Sequence, residues 1–214
     1  MLQISRRLRA SAGGGLALLP DPLVRGLVGR ATVRDGQSLD PRMKLVCQLA
    51  GLGPGSRPWE LPVQRARAVY EDFCTMLDAP APAVSRIVLR EAPGPRGGVP
   101  LRILYGQESA RPQPVLVYLH GGGFTIGSVR SHDALCKRLA LEARCIVVAV
   151  DYRLAPEHPF PAGLEDGLAA YRWVTDSASE LGADASRVAI GGDSAGGNLA
   201  AVLAQTMRGD PLGP

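Results

Sequence analysis

Cysteine is scarce in this chain: four in 214 residues, at Cys47, Cys74, Cys136 and Cys145. None forms a C-x-x-C pair, and none has a histidine at zinc-ligand spacing, so nothing supports a metal site. Free thiols in a reducing compartment are the expectation, which places the chain in the cytoplasm. No apolar run is long enough to span a bilayer. Arg6-Arg7-Leu8-Arg9 followed by Gly13–Leu19 has the outline of a secretion leader. Three glycines interrupt its apolar part, however, and Pro20-Asp21-Pro22 stands where small cleavage-site residues belong. The net charge of +4 comes mostly from scattered arginines. Without a long basic run or interleaved aromatics, a nucleic-acid partner is not expected. There is no G-x-x-x-x-G-K-[ST] loop for a nucleotide phosphate, and no internal repeat.

What the chain does have is Val188–Gly197, VAIGGDSAGG. Val188 to Gly191 are apolar or small, as in a buried strand. Gly192-Asp193-Ser194-Ala195-Gly196 is a G-x-S-x-G pentapeptide, and Asn198 to Met207 is rich in helix formers. Strand, sharp turn and helix are the context a nucleophile elbow requires. Side chains at Gly192 and Gly196 would collide where strand and helix pack together. The turn aims backbone N–H groups and a helix N-terminus at Ser194, which favours developing negative charge. The plainer reading of the same residues is a glycine-rich strand–helix loop.

Upstream, Pro41–Leu52 and Leu61–Leu77 carry apolar residues at helical spacing, with Val63, Ala66, Val69, Tyr70, Phe73 and Leu77 on one face. Gly51–Pro58 is a breaker-rich loop between them. Residues 1–82 show no strand alternation and are therefore read as a mostly helical segment with at least two helices, either extra packing or a lid. Asp78–Pro82 is a stiff junction. Residues 83–214 open with an antiparallel pair, Val84–Arg90 and Val99–Tyr105. Val115–Leu119 is a strand buried on both faces, Ser131–Glu142 a helix, Cys145–Val150 another buried strand and Gly163–Thr175 an amphipathic helix. This alternation predicts an α/β fold: a mostly parallel sheet with helices on both faces. Ligands bind at the carboxyl ends of such strands. His120–Gly123, Asp151–Ala162 and Gly192–Gly196 should therefore meet at one rim.

Acyl transfer needs a nucleophile, a base with an orienting acid, and donors for an oxyanion. Ser194 supplies the first. Gly121-Gly122-Gly123 supply backbone that can approach a carbonyl closely. Three motifs, HGGGF at His120–Phe124, DYRLAPEHPFPA at Asp151–Ala162 and GDSAGGNLA at Gly192–Ala200, together resemble the hormone-sensitive-lipase-like branch of the α/β-hydrolases, the bacterial family IV esterases. The resemblance implies an α/β-hydrolase core with a helical N-terminal lid, hydrolysis of short to medium acyl esters, and no cofactor. It implies Ser194 as nucleophile, with the N–H groups of Gly122, Gly123 and Ala195 as the oxyanion hole. His120, Gly121, Gly192, Asp193 and Gly196 then support the motif. Arg153, Glu157 and His158 are architectural, and His132 is read as a capping or solvated residue.

The family places its acid and histidine after the serine. Here no histidine follows Ser194; the three present are His120, His132 and His158. Asp210, in an Asp-Pro-Leu context, follows the elbow helix too closely to be the acid. The expectation is a C-terminally truncated hydrolase whose acid and histidine, and the strands beyond Ser194, come from a missing segment or a partner chain. Two alternatives stand beside it: a non-catalytic ligand-binding protein on this scaffold, like the plant gibberellin receptors, and an inactive fragment. Ligand binding without turnover would mark the first.

Overall fold

Proline and aspartate open the first helix. The computed structural model describes residues 19–51, 60–78, 80–211 and 213–214. The Arg6–Arg9 cluster, its glycine-interrupted sequel to residue 18 and most of the Gly51–Pro58 loop lie outside these. The chain divides into two compact units, Met1–Pro80 and Ala81–Pro214. In the first unit, α1 (Asp21–Val28) has Pro22 and Asp21 in its first turn, both favoured there. In the sequence, Pro20-Asp21-Pro22 served only as an argument against a leader cleavage site. A two-residue hairpin follows, β1 (Val33–Arg34) against β2 (Gln37–Ser38). Its turn places Asp35 and Gly36 at φ 51° and 77°, the conformation Asp-Gly favours. A short hairpin thus lies within the segment read as mostly helical. Helix α2 (Pro41–Gly51) starts on Asp40, whose Oδ1 accepts the N–H groups of Arg42 and Met43 at 2.8 and 3.2 Å. In α3 (Val63–Leu77), Ala66 is buried and Val63, Tyr70 and Phe73 are half-buried on the same face.

The second unit is built on a five-stranded sheet of order β3-β4-β6-β5-β7: β3 (Arg86–Gly94), β4 (Gly97–Tyr105), β5 (Gln113–Leu119), β6 (Ile146–Val150) and β7 (Ala183–Gly192). The sheet is mixed: β3 and β4 form a hairpin and β4 runs antiparallel to β6, while β5 pairs in parallel with both β6 and β7. The parallel part begins only where strand–helix units begin, because a crossover helix is what allows a parallel return. Helix α4 (Asp133–Glu142) links β5 to β6; α5 (Ala162–Asp176) and the short α6 (Ala178–Leu181) link β6 to β7; α7 (Ser194–Thr206) follows β7.

Every residue of β6 is buried, and its alternation divides two cores. Ile146, Val148 and Val150 join Val115, Val117 and Leu119 under Ala170, Val174, Leu199 and Leu203 of α5 and α7. Val147 and Ala149 face Cys136 and Ala140 of α4 on the other side. Each fully buried Val or Ile contributes about 1.5–3 kcal/mol. The rigid β5–β6–β7 frame thus fixes three strand ends, and the loops that leave them, at one rim.

Candidate active site

At the end of β7 the backbone turns sharply. Asp193 is extended, at φ −110° and ψ 148°, and Ser194 then takes φ 50°, a left-handed conformation rare for a residue with a side chain. Such a conformation costs about 1–3 kcal/mol and persists only where the surroundings enforce it. Here they do: α7 begins at Ser194 itself and its first turn sits on the end of β5. A Cβ at Gly196 would overlap the Leu119 carbonyl oxygen. Ser194 is left exposed at the helix N-terminus. The helix thus starts four residues earlier than the composition of Asn198–Met207 indicates, because tertiary packing overrides the poor helix propensity of Gly196 and Gly197.

The glycine loop leaves β5 beside this turn. The Gly121 N–H donates to Asp193 Oδ1 at 2.8 Å, and the Tyr118 hydroxyl donates to the same oxygen at 2.7 Å. Burial works to raise the Asp193 pKa, but the Tyr118 hydroxyl, His132 and the Gly121 N–H outweigh it and hold the carboxyl below its ordinary value. Gly122 and Gly123 follow at φ 128° and 59°. The Gly122 carbonyl accepts the N–H groups of Thr125 and Ile126 at 3.1 and 2.9 Å. Among the described residues, the N–H groups of Gly122 and Gly123 have no acceptor. His120 is buried, its Nδ1 2.8 Å from the Gly121 carbonyl oxygen and its ring stacked on Tyr152 at 4.4 Å. Burial pushes its pKa down, favouring the neutral imidazole.

The third loop, Asp151–Ala162, closes the rim. The Tyr152 hydroxyl donates to the His120 carbonyl at 2.6 Å. Arg153 grips Asp166 of α5: its backbone N–H and its Nε each lie 2.9 Å from Oδ2, and a terminal nitrogen lies 2.8 Å from Oδ1. Asp166 is buried, so this pair is what fastens the loop. Glu157 and His158 are exposed. A cavity of about 320 Å³ opens beside Gly123, walled by Phe124, Phe160, Leu164, Leu199 and Val202 among others.

The three stretches the sequence singles out do meet. His132 is the residue misplaced by sequence reasoning. It is buried rather than solvated, makes no side-chain cap on α4, and sets its Nε2 3.3 Å from Asp193 Oδ1. Nothing local signals a contact between residues so distant in the chain. Tyr118, Tyr152 and Asp166 were not singled out, although Tyr152 lies inside a quoted motif and Tyr118 two residues before another. Asp210 falls in the turn after α7, its N–H bonded to the Met207 carbonyl. Among the described residues, no group of three or more His, Cys, Asp or Glu side chains could hold a metal ion.

Comparison with known proteins agrees with this geometry. A family model described as the alpha/beta hydrolase fold matches residues 116–212. A carboxylic ester hydrolase of Mycobacterium tuberculosis, LipN, is 41% identical over 196 residues, covering 90% of this chain and 52% of the relative. The carboxylesterase NlhH of the same species is 51% identical over 117 residues, 53% of this chain and 37% of that one. The chain thus spans about half the length, or less, of these curated relatives. Among solved structures, a hyperthermophilic esterase from Pyrobaculum calidifontis superposes with a TM-score of 0.71 at 43% identity, over 78% of this chain and 52% of that one. An ester hydrolase from the metagenome of Lake Arreo, complexed with a bipyridine phosphonate derivative, gives 0.72 at 38% identity, over 89% and 55%. The chain has the α/β-hydrolase fold and is similar to the hormone-sensitive-lipase-like esterases of that superfamily.

Proposed function

We propose that this chain carries the nucleophile and oxyanion-binding half of a carboxylic-ester hydrolase. The observation that carries the reading is Ser194 held at φ 50° on the N-terminus of α7, with the glycine loop tied to the same turn through Asp193. Ser194 Oγ attacks the ester carbonyl carbon and passes its proton to a base. The N–H groups of Gly122, Gly123 and Ala195 receive the oxyanion. The tetrahedral intermediate collapses, the alcohol leaves with the proton from the base, and an acyl-serine remains. Water then attacks the acyl carbon, freeing the acid and restoring Ser194.

The base is not one of the chain's own histidines in this arrangement. His120 is buried against the Gly121 carbonyl, His132 faces Asp193, and among the described residues no hydrogen bond joins Ser194 to His158. The apolar cavity beside Gly123 suits an alkyl or acyl group of short to medium length. The four free cysteines fit a reducing, cytoplasmic setting. No helix among the described residues is long and apolar enough to cross a membrane.

The phosphonate bound by the Lake Arreo relative suggests the test. A fluorophosphonate mimics the tetrahedral intermediate and bonds an activated serine. Intact mass should show one adduct on the full-length protein and none on Ser194→Ala. Hydrolysis of p-nitrophenyl butyrate should fall by about six powers of ten in the variant. Equal labelling, or an unchanged rate, refutes the reading.

A further inference from the structure

We infer that His132 is a positioning residue for the oxyanion loop, acting through Asp193 on the Gly121 N–H; the functional half of this statement rests on the ester-hydrolase reading above. Asp193 Oδ1 is shared by three groups: the Tyr118 hydroxyl at 2.7 Å, the Gly121 N–H at 2.8 Å and His132 Nε2 at 3.3 Å. Tyr118 comes from β5, Gly121 from the loop after it, and His132 from the entry to α4. One carboxylate oxygen on the elbow thus gathers donors from three separate segments. Its direction sets where the glycine loop hangs relative to Ser194.

The far side of the imidazole is built to keep Nε2 aimed at Asp193. His132 Nδ1 lies 2.9 Å from Ser131 Oγ. That hydroxyl oxygen also accepts the Ser128 N–H at 2.9 Å and lies 2.9 Å from the Ser128 carbonyl oxygen. Ser131 has one hydroxyl proton and two acceptors in reach, so it can serve His132 in either charge state. Turned to Nδ1, it fixes the neutral tautomer with the proton on Nε2. Turned to the Ser128 carbonyl, it frees its oxygen to accept an Nδ1–H while Nε2–H still donates to Asp193. In both arrangements His132 donates to the carboxylate. The ring is also walled in by His120, centroids 5.6 Å apart, and by Tyr118 at 6.3 Å, so it has little room to turn away. A capping or solvated histidine needs none of this.

The test reads the loop directly and does not need catalysis. In the full chain labelled with ¹⁵N-glycine, the Gly121 amide proton should resonate downfield, as a donor to a carboxylate does. His132→Leu should move it upfield and raise its hydrogen exchange about tenfold, the loss of roughly one hydrogen bond to a charged group. His132→Gln, whose Nε2 reaches a similar position, should restore most of both. Ser131→Ala should shift Gly121 the same way by less. Should His132→Leu fail to fold, the Gln and Ala variants decide alone. A Gly121 signal unmoved in folded His132→Leu, or unmoved in Ser131→Ala with His132→Gln no different from leucine, overturns the inference. Phosphonate labelling of Ser194 in the parent protein separates the two ideas: an unlabelled parent serine refutes the esterase reading, while a Gly121 signal that shifts in His132→Leu leaves the positioning intact.

Discussion

Two loops at the same rim are held by opposite means. The elbow at Gly192–Gly196 is held by the absence of side chains: α7 starts so close to the end of β5 that no Cβ fits at Gly196. The Asp151–Ala162 loop is held by charge, Arg153 closing on the buried Asp166. The difference follows from what each must do. A nucleophile and its oxyanion donors act through backbone placed within ångströms of a substrate, and backbone approaches backbone only where glycine stands. A loop that only has to be kept in place can be fastened by side chains at its root. The glycine loop is intermediate, its backbone pulled onto the elbow by the carboxylate of Asp193.

Breaking the side-chain-free contact should have the largest effect. Alanine at Gly196 puts a methyl group into the Leu119 carbonyl oxygen and within 2.7 Å of the His120 one. Both acceptors are backbone at the end of a central strand and neither can rotate away. The helix must lift, with a loss of about 4 kcal/mol, above the usual range of about 1–3 for overpacking because the backbone cannot yield. Urea unfolding should show a lower midpoint with an unchanged slope. An alanine variant as stable as the parent would mean the close approach is not what holds the elbow.

Breaking the charged contact should cost less. Arg153→Ala leaves the Asp166 carboxylate buried without its cation, and removes the packing of the arginine stem, for about 3 kcal/mol. Because the cost is mainly that of an orphaned charge, adding Asp166→Ala should recover part of it. A double variant equal to the sum of the two singles would show that the pair does not act as a unit. The elbow offers no such recovery, since no second substitution can remove a carbonyl.

The same division decided what the sequence disclosed. Features made by missing side chains are written in consecutive residues: the glycines of His120–Gly123 and Gly192–Gly196 sit beside the groups they serve, and β5, β6 and β7 show as apolar runs. Features made by side chains reaching across space are not. Arg153 meets Asp166 and His132 meets Asp193 only once α4 and α5 have packed on the sheet, so Arg153 was read as architectural without its partner and His132 as a capping or solvated residue. Local signals were also overruled by contact. The Asp-Gly turn between β1 and β2 and the Asp–Pro start of α1 were present but not used, and Gly196 and Gly197 hid a helix that tertiary packing starts at Ser194.

Asp193 sharpens the comparison because its carboxylate is like that of Asp166 but far less buried, with 44% of its side chain exposed against 3%. Its donors hold its folded pKa below the ordinary 3.8. A carboxyl with a depressed folded pKa contributes stability that is present above the unfolded value. That stability is lost as pH falls below about 4 and through the folded pKa. Exposure screens the effect, so roughly 1 kcal/mol is expected, or about 2–4 °C in Tm for a chain of this size. Asp193→Asn keeps an oxygen for Tyr118 and Gly121 but has no charge to lose. Its melting temperature should lie below that of the parent at pH 7, and the gap should close as both are titrated toward pH 3. A gap that stays constant across that range would mean Asp193 holds the glycine loop by hydrogen-bond geometry alone, and its charge adds nothing.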